Sequence, residues 1–173
     1  MLTFFRFILF QIAWFSCAIL AGGEHYNWAW IPMCTFGVGY ILISSTQRRV
    51  DILMMIGSSV MGFGFDSILI RCGVFSTPTL DIFSPFWLVS MWTGFATAFS
   101  MGLYEIRKMS WFVIVAVAAV GGMSSYRAGA SFGGIILHDN IYFSSICIML
   151  EWSVAFPMLI LMYDKITRYV NDK

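Results

Sequence analysis

The composition of this chain excludes a water-soluble domain. Of its 173 residues, 60% are hydrophobic, 18% are aromatic and 11% are charged, whereas a soluble domain usually has about 25% charged residues. The formal net charge is +1, and the basic residues lie in short segments spread along the chain. A nucleic-acid-binding protein would have them gathered on one face, so a nucleic-acid partner is not expected. Phosphate-cradling GxxxxGK and zinc-binding HExxH motifs are absent, which removes the usual signs of a soluble enzyme.

Six apolar segments predict an all-α membrane protein, a single domain over 1–173 that forms a bundle of six transmembrane helices. A spanning helix needs about 20 apolar residues. The first segment ends at Gly22-Gly23. The small residues Ser16-Cys17-Ala18 lie inside the apolar run and not beyond it, where the cleavage site of a signal peptide would lie, so we expect a retained helix. Pro85 is suited to the first turn of the fourth predicted helix. The predicted helices cover 4–21, 28–45, 52–70, 86–104, 111–127 and 141–162.

The stretches between these helices are polar or rich in glycine. The segment 71–84 has the composition of a loop. The segment 128–140 carries three glycines and a short apolar patch, which suggests a loop that dips back toward the membrane. A comparison of 4–70 with 86–162 gives no convincing inverted repeat of the kind that transporters contain.

Lysine and arginine are distributed unequally between the two sets of loops. Basic residues are retained on the cytoplasmic side of a membrane. Arg71 and Arg127 fall on one side. The other side holds eight basic residues: Arg6, Arg48, Arg49, Arg107, Lys108, Lys165, Arg168 and Lys173. The asymmetry predicts a multi-pass protein of a bacterial-type inner (plasma) membrane, with the N-terminus and the C-terminus in the cytoplasm.

Four charged residues lie inside or at the ends of predicted spans: Asp66, Arg71, Arg127 and Glu151. A charge in the hydrocarbon core costs about 2.5 kcal/mol or more and marks a candidate functional site. These residues suggest a polar pocket that faces the periplasm. A carboxylate would handle a proton there, and a basic residue would bind an anionic head group. The catalytic candidates are Asp66 and Glu151, and the ligand-binding candidates are Tyr126, Arg127, Arg71 and Trp152.

A purely structural role is the alternative for these charges. Asp66 would then pair with Arg127 or Arg71 to fix the helix register, and Arg71 would extend to the membrane surface. His25 and His138 fall in predicted loops and make a weak metal site without further ligands. We therefore predict no metal, and the sequence identifies no cofactor.

Several motifs carry a resemblance to a known family. They are GFGFDS at 62–67 with GVF at 73–75, SPFW at 84–87 with Trp92 and FAT at 95–97, and Gly121-Gly122 with Tyr126, Gly129, Gly133, Glu151-Trp152 and Pro157. In order and spacing they resemble a family of proteobacterial inner-membrane proteins of similar length and unknown function. The resemblance covers almost the whole chain. It departs at Met123, where the family pattern has a proline.

The resemblance implies a lipid-linked role. Members of the family are often encoded beside enzymes that modify membrane fatty acids, including cyclopropane-synthase-like methyltransferases, and no catalytic residue is known for them. We therefore expect the protein to handle, or help to modify, a membrane lipid or another lipophilic molecule. A small proton- or ion-coupled transporter is one alternative. A scaffold for a soluble lipid-modifying enzyme, held through Arg48, Arg49, Arg107 and Lys108, is another.

Overall fold

The computed structural model describes residues 2–172. This part of the chain contains six α-helices: α1 (Leu2–Ala21), α2 (Ile31–Gly39), α3 (Arg48–Arg71), α4 (Phe86–Ser100), α5 (Trp111–Ser131) and α6 (Ile141–Asn171). It also contains two strands, β1 (Phe75–Ser76) and β2 (Ile136–Leu137), 3-10 turns at Tyr26–Trp28 and Leu103–Lys108, and a π-turn at Tyr40–Ser44. Apart from the strand pair the fold is helical, as the apolar segments predict.

Four helical segments are long and apolar enough to cross a membrane: Thr3–Ala21, Arg48–Arg71, Trp111–Ser131 and Ile141–Asn171. Large apolar side chains cover their outer faces. Val60 is 69% exposed, Phe112 is 83% exposed and Leu150 is 62% exposed. Apolar surface on this scale is unusual in a soluble monomer and suits contact with lipid, which agrees with the membrane protein that the composition predicts.

The third and fourth helices differ from the prediction at their polar ends. The third helix begins at Arg48 rather than 52, and Asp51 lies in its first turn, where a negative charge is favourable. The fourth ends at Ser100 rather than 104, because Gly102 adopts a φ of +127° that breaks the helix. A 3-10 turn then completes the connection.

The segment predicted to dip into the membrane forms other structure. Helix α5 continues to Ser131, and Gly133 follows with a φ of +82°, as glycine commonly does after a helix. Strand β2 then pairs with β1. Asn140 caps α6 by accepting hydrogen bonds from backbone N–H groups, and α6 runs to Asn171, well beyond the predicted end at 162.

The chain direction alternates, so the bundle has two distinct ends. One end carries the strand pair and is termed the strand end. The other carries Arg48, Arg107 and Lys108 and is termed the basic end. The second predicted helix, 28–45, is divided: a 3-10 turn lies at the strand end, and α2 with its π-turn runs to the basic end.

Two helical hairpins, α3–β1–α4 and α5–β2–α6, are built as repeats. The helices of each hairpin pack closely together. A Cβ added at Gly62 of α3 would overlap the ring of Trp92 in α4, and a Cβ added at Gly122 of α5 would overlap the ring of Trp152 in α6. The equivalent positions are 60 residues apart, the interval that also separates Asp66 from Tyr126. In both hairpins a glycine of the first helix therefore packs against a tryptophan of the second.

Equivalent positions of the two hairpins also touch each other. Three such pairs are in contact: Ser76 with Ile136, Trp92 with Trp152, and Asp66 with Tyr126. The tryptophan rings stack with centroids 4.9 Å apart and planes 13° apart. If a two-fold axis relates the two hairpins, a residue can touch its equivalent in the other hairpin only where both lie beside that axis. The three pairs therefore indicate a pseudo-two-fold axis that runs from the strand end into the bundle.

The two-fold relation is broken where the hairpins meet on either side of this axis. On one side α3 packs along α6. The equivalent contact on the other side would join α4 to α5, but these two helices have no extended packing within residues 2–172. Instead, α1 lies beside α4, and α2 packs on both. The missing contact leaves space between α4 and α5.

Alanine substitutions at two neighbouring glycines test the packing of the second hairpin. We expect Gly122→Ala to lower the stability by about 1–3 kcal/mol, because the added methyl meets the Trp152 ring. A Cβ at Gly121 meets nothing within 4 Å, so Gly121→Ala should be neutral or stabilising. Thermal unfolding midpoints in one detergent compare the two variants. Equal midpoints would contradict the described packing.

Candidate functional site

A crevice of about 870 Å³ occupies the space between α4 and α5. Helix α1 forms a further wall, and Trp152 and Phe156 of α6 lie at its base. The lining extends along α5 from Val117 to Gly129, roughly 18 Å at about 1.5 Å per residue. That length is comparable to one leaflet of the hydrocarbon core, about 15 Å.

The walls of the crevice are mainly apolar and aromatic. The polar side chains that line it are Thr3, Gln11, Ser124, Ser125 and Tyr126. The hydroxyl groups of Ser124 and Ser125 donate to carbonyl groups of their own helix at 2.7 and 3.0 Å, so they offer a ligand little. The sequence suggests a polar pocket, whereas the cavity is apolar and the acidic groups lie behind its wall.

The crevice is closed at the strand end and opens sideways. Gly22, just after α1, lies so close to the turn after α5 that a Cβ would overlap the backbone of Phe132. The rings of Phe15 and Phe132 also touch, with centroids 5.9 Å apart. Below this clamp no extended packing joins α1 to α5 in the described part of the chain. The opening between these two helices therefore faces the surroundings of the bundle.

Asp66 lies at the centre of the repeat pair and is fully buried. The hydroxyl of Tyr126 donates a hydrogen bond to its Oδ1. The indole N–H of Trp92 donates to its Oδ2 at 2.8 Å, and the hydroxyl of Ser84 approaches the same oxygen at 3.5 Å. Tyr126 and Trp92 also line the crevice, so both connect its wall to the carboxylate.

Glu151 is the second buried carboxyl group of the site. It lies on α6 and is 7% exposed. Neither of its oxygens has a hydrogen-bond partner among the described residues. It interacts electrostatically with both Asp66 and Tyr126, and the next residue, Trp152, stacks on Trp92. Four of the predicted site residues, Asp66, Tyr126, Glu151 and Trp152, are therefore brought together.

The two arginines of the predicted site lie elsewhere. Arg71 is exposed, and its guanidinium lies over the ring of Phe83 at 4.5 Å. Arg127 is exposed and is not part of the crevice wall. Asp66 forms hydrogen bonds to neutral donors instead of an ion pair with either arginine. Neither arginine is placed to clamp an anion beside the carboxylates.

Three residues that shape the buried polar groups have no role in the site predicted from the sequence. Trp92 and Ser84 belong to the quoted motifs, and a buried indole N–H usually finds an acceptor, but nothing in the sequence names Asp66 as that acceptor. Asp51 follows the polar residues Arg48 and Arg49, and nothing in the sequence indicates its partners. It is 2% exposed and accepts hydrogen bonds from Ser45, at 2.6 Å, and from Ser100, so it joins α3 to α4 at the basic end.

A further carboxylate, Asp81, fastens two loops at the strand end. The hydroxyl groups of Tyr26, Thr77 and Thr79 donate to its Oδ2 at 2.6, 2.7 and 2.5 Å. Partial burial opposes ionisation, but these hydrogen bonds outweigh it and lower the pKa of Asp81. Burial, and then the hydrogen bond to Asp81, raise the pKa of Tyr26. The loop after α1 is thereby tied to the loop after β1.

Helices of this length and apolar surface define a membrane protein, here with a buried pair of acidic groups beside an apolar crevice. The chain belongs to the family described as Protein of unknown function (DUF2878), whose family model matches residues 3–158. This match confirms the resemblance to a family of unknown function. No curated protein and no solved structure matches the chain.

The hydrogen bond between Tyr126 and Asp66 is tested by Tyr126→Phe. Without the hydroxyl, Oδ1 of a fully buried carboxylate loses its donor, so we expect a loss of stability of about 1–3 kcal/mol. Tyr142→Phe is the matched control, because Tyr142 is 77% exposed. Thermal unfolding in one detergent measures both. A Tyr126 variant as stable as the control would mean that Asp66 does not need this donor.

Proposed function

We propose that this protein binds the acyl chain of a membrane lipid, or a lipophilic molecule of similar shape, in the crevice between α4 and α5. The crevice itself carries the proposal. Its volume of about 870 Å³ lies within the range of small-molecule sites, about 300–1,000 Å³. Its walls favour hydrocarbon over a polar solute. An opening between α1 and α5 would admit a chain directly from the surrounding lipid.

Tyr126 is the group through which such a ligand would reach the acidic site. Its side chain lines the crevice, and its hydroxyl is bonded to Asp66. A lipid bound in the crevice would therefore lie on one side of Tyr126 and Trp92, with the carboxyl groups on the other. This arrangement suits the handling or modification of a lipid better than its passive storage.

The tandem hairpins make solute transport the second candidate. Parallel repeats occur in transporters, and their substrate sites lie at the repeat interface. The contacts of Asp66 with Tyr126 and of Trp92 with Trp152 lie at such an interface. A path for a polar solute would need polar walls, however, and the crevice is lined mainly by apolar residues. Lipid binding is therefore the better supported function.

We further propose that the protein crosses a bacterial inner membrane six times, with both termini in the cytoplasm. At about 1.5 Å per residue, α4 and the combined helix 31–44 are roughly 20 Å long, shorter than the hydrocarbon core of about 30 Å. The alternating chain direction supports them as short spans. The predicted cytoplasmic residues Arg48, Arg107 and Lys108 share the basic end, which supports this orientation.

Reporter fusions test this topology. A fluorescent protein that folds only in the cytoplasm should fluoresce when fused after the last residue. A phosphatase that is active only outside the cytoplasm should be active when inserted at Asp139, in the loop before α6. The phosphatase inserted after Lys108, at the basic end, is the control and should be inactive. The opposite pattern would overturn the proposed orientation.

Lipid binding is tested by filling the crevice. Gly121 lines it, and a Cβ there meets nothing within 4 Å, so Gly121→Leu should fold and obstruct the ligand. A clash that costs about 1–3 kcal/mol weakens binding roughly 5- to 150-fold. Gly64→Leu is the control, because Gly64 also has open space at its Cβ and does not line the crevice.

The measurement is photo-labelling in vesicles of phosphatidylethanolamine and phosphatidylglycerol that contain a phospholipid with a diazirine in its acyl chain. Adducts on Met91 and Phe95, which line the crevice, should be strong in the wild type and in Gly64→Leu, and weak in Gly121→Leu. Adducts on the exposed Val60 should be equal in all three. Crevice adducts that are absent from the wild type, or unchanged by Gly121→Leu, would overturn the proposal.

A further inference from the structure

Glu151 is a buried acid for which the packing of the bundle gives no reason. It is 7% exposed, and neither carboxyl oxygen has a partner among the described residues. The repeat supplies an internal comparison, because the equivalent position in the first hairpin, one residue before its stacked tryptophan, is Met91. An apolar side chain is therefore compatible with this place in a hairpin. Burial of a carboxyl group without a hydrogen bond costs free energy, so the presence of Glu151 needs a reason other than packing.

The groups around the two acids differ in kind. The hydrogen-bond partners of Asp66 among the described residues are all donors, from Tyr126, Trp92 and Ser84, and donors on both oxygens suit an ionised carboxylate. In the same part of the chain Glu151 has no donor. The titratable groups that interact with Glu151 from the helices packed on α6 are Asp66 of α3 and Tyr126 of α5.

Among the described residues, no ion pair brings a cation to Asp66 or Glu151. The ion pairs of Arg107 with Asp164 and of Lys108 with Glu105 both lie at the basic end. A bound metal ion would need several oxygen ligands, but among the described residues no group of three or more His, Cys, Asp or Glu side chains could hold one. Two buried carboxyl groups that interact electrostatically are strongly disfavoured if both are ionised, so the site needs one proton.

We propose that Asp66 and Glu151 form a proton-exchange site on the axis of the repeat, with Glu151 holding the proton and Asp66 ionised. The pair keeps one proton and one negative charge. Loss of the proton from Glu151 is balanced by uptake of one proton at the Asp66 carboxylate, and the hydroxyl of Tyr126 links Asp66 to the crevice wall. The site would thus give a proton to, or take one from, a ligand group at the crevice. The exchange itself does not depend on what fills the crevice.

Infrared spectroscopy of the purified protein tests where the proton resides. At neutral pH the wild type should show the carbonyl band of a protonated carboxylic acid. Glu151→Gln should lose this band completely, and Asp66→Asn should keep it. Glu105→Gln is the matched control and should keep it, because Glu105 is exposed and paired with Lys108. A wild type without the band, or a Glu151→Gln variant that retains it, would overturn the proposal.

Chemical labelling of the wild type keeps the test valid if a variant does not fold. An apolar carbodiimide adds to protonated carboxyl groups in apolar surroundings, and mass spectrometry locates the adduct. We expect the adduct on Glu151 at neutral pH. An adduct on Asp66 alone, or on neither residue, would overturn the assignment. Lipid photo-labelling of Met91 and Phe95 can succeed or fail independently of both results, so the two proposals are separable.

Discussion

The stack of Trp92 on Trp152 is the contact on which the rest of the described bundle depends. Each ring rests on a glycine of its own hairpin, so each helix pair closes around its tryptophan. The two rings then meet near the axis and join the hairpins. The same Trp92 donates to Asp66 at 2.8 Å. The packing of the core therefore also positions the buried carboxylate.

The candidate site arises where the two hairpins differ. The equivalent of the α3–α6 contact is missing between α4 and α5, and the crevice occupies that place. Two pairs of equivalent positions also differ in chemistry: Asp66 opposes a tyrosine, and Glu151 replaces a methionine. The repeated architecture provides a common frame, since the packing of Gly62 against Trp92 recurs as that of Gly122 against Trp152. The departures from the repeat provide both the cavity and the acidic pair.

The apolar runs predict the helices well, because a helix in lipid must be apolar along its length. The grouping of Asp66, Tyr126 and Glu151 also follows from the cost of isolated charges. A comparison of three helices with three misses the repeat, because the repeated unit is one hairpin. The two hairpins also share few identities, among them Gly62 and Gly122, Gly73 and Gly133, Ser84 and Ser144, and Trp92 and Trp152. The crevice results from a contact that helices do not make, so no local pattern predicts it.

Three carboxyl groups buried within the bundle show why Glu151 calls for a functional explanation. Asp51 is satisfied by the hydroxyl groups of Ser45 and Ser100, and its burial secures the helices at the basic end. Asp66 has three donors, which together tie α3, α4 and α5. Both groups can be retained for stability. Glu151 has no hydrogen-bond partner among the described residues, and a buried polar group without a hydrogen bond destabilises a fold. Its retention is best explained by a proton that it exchanges with its surroundings.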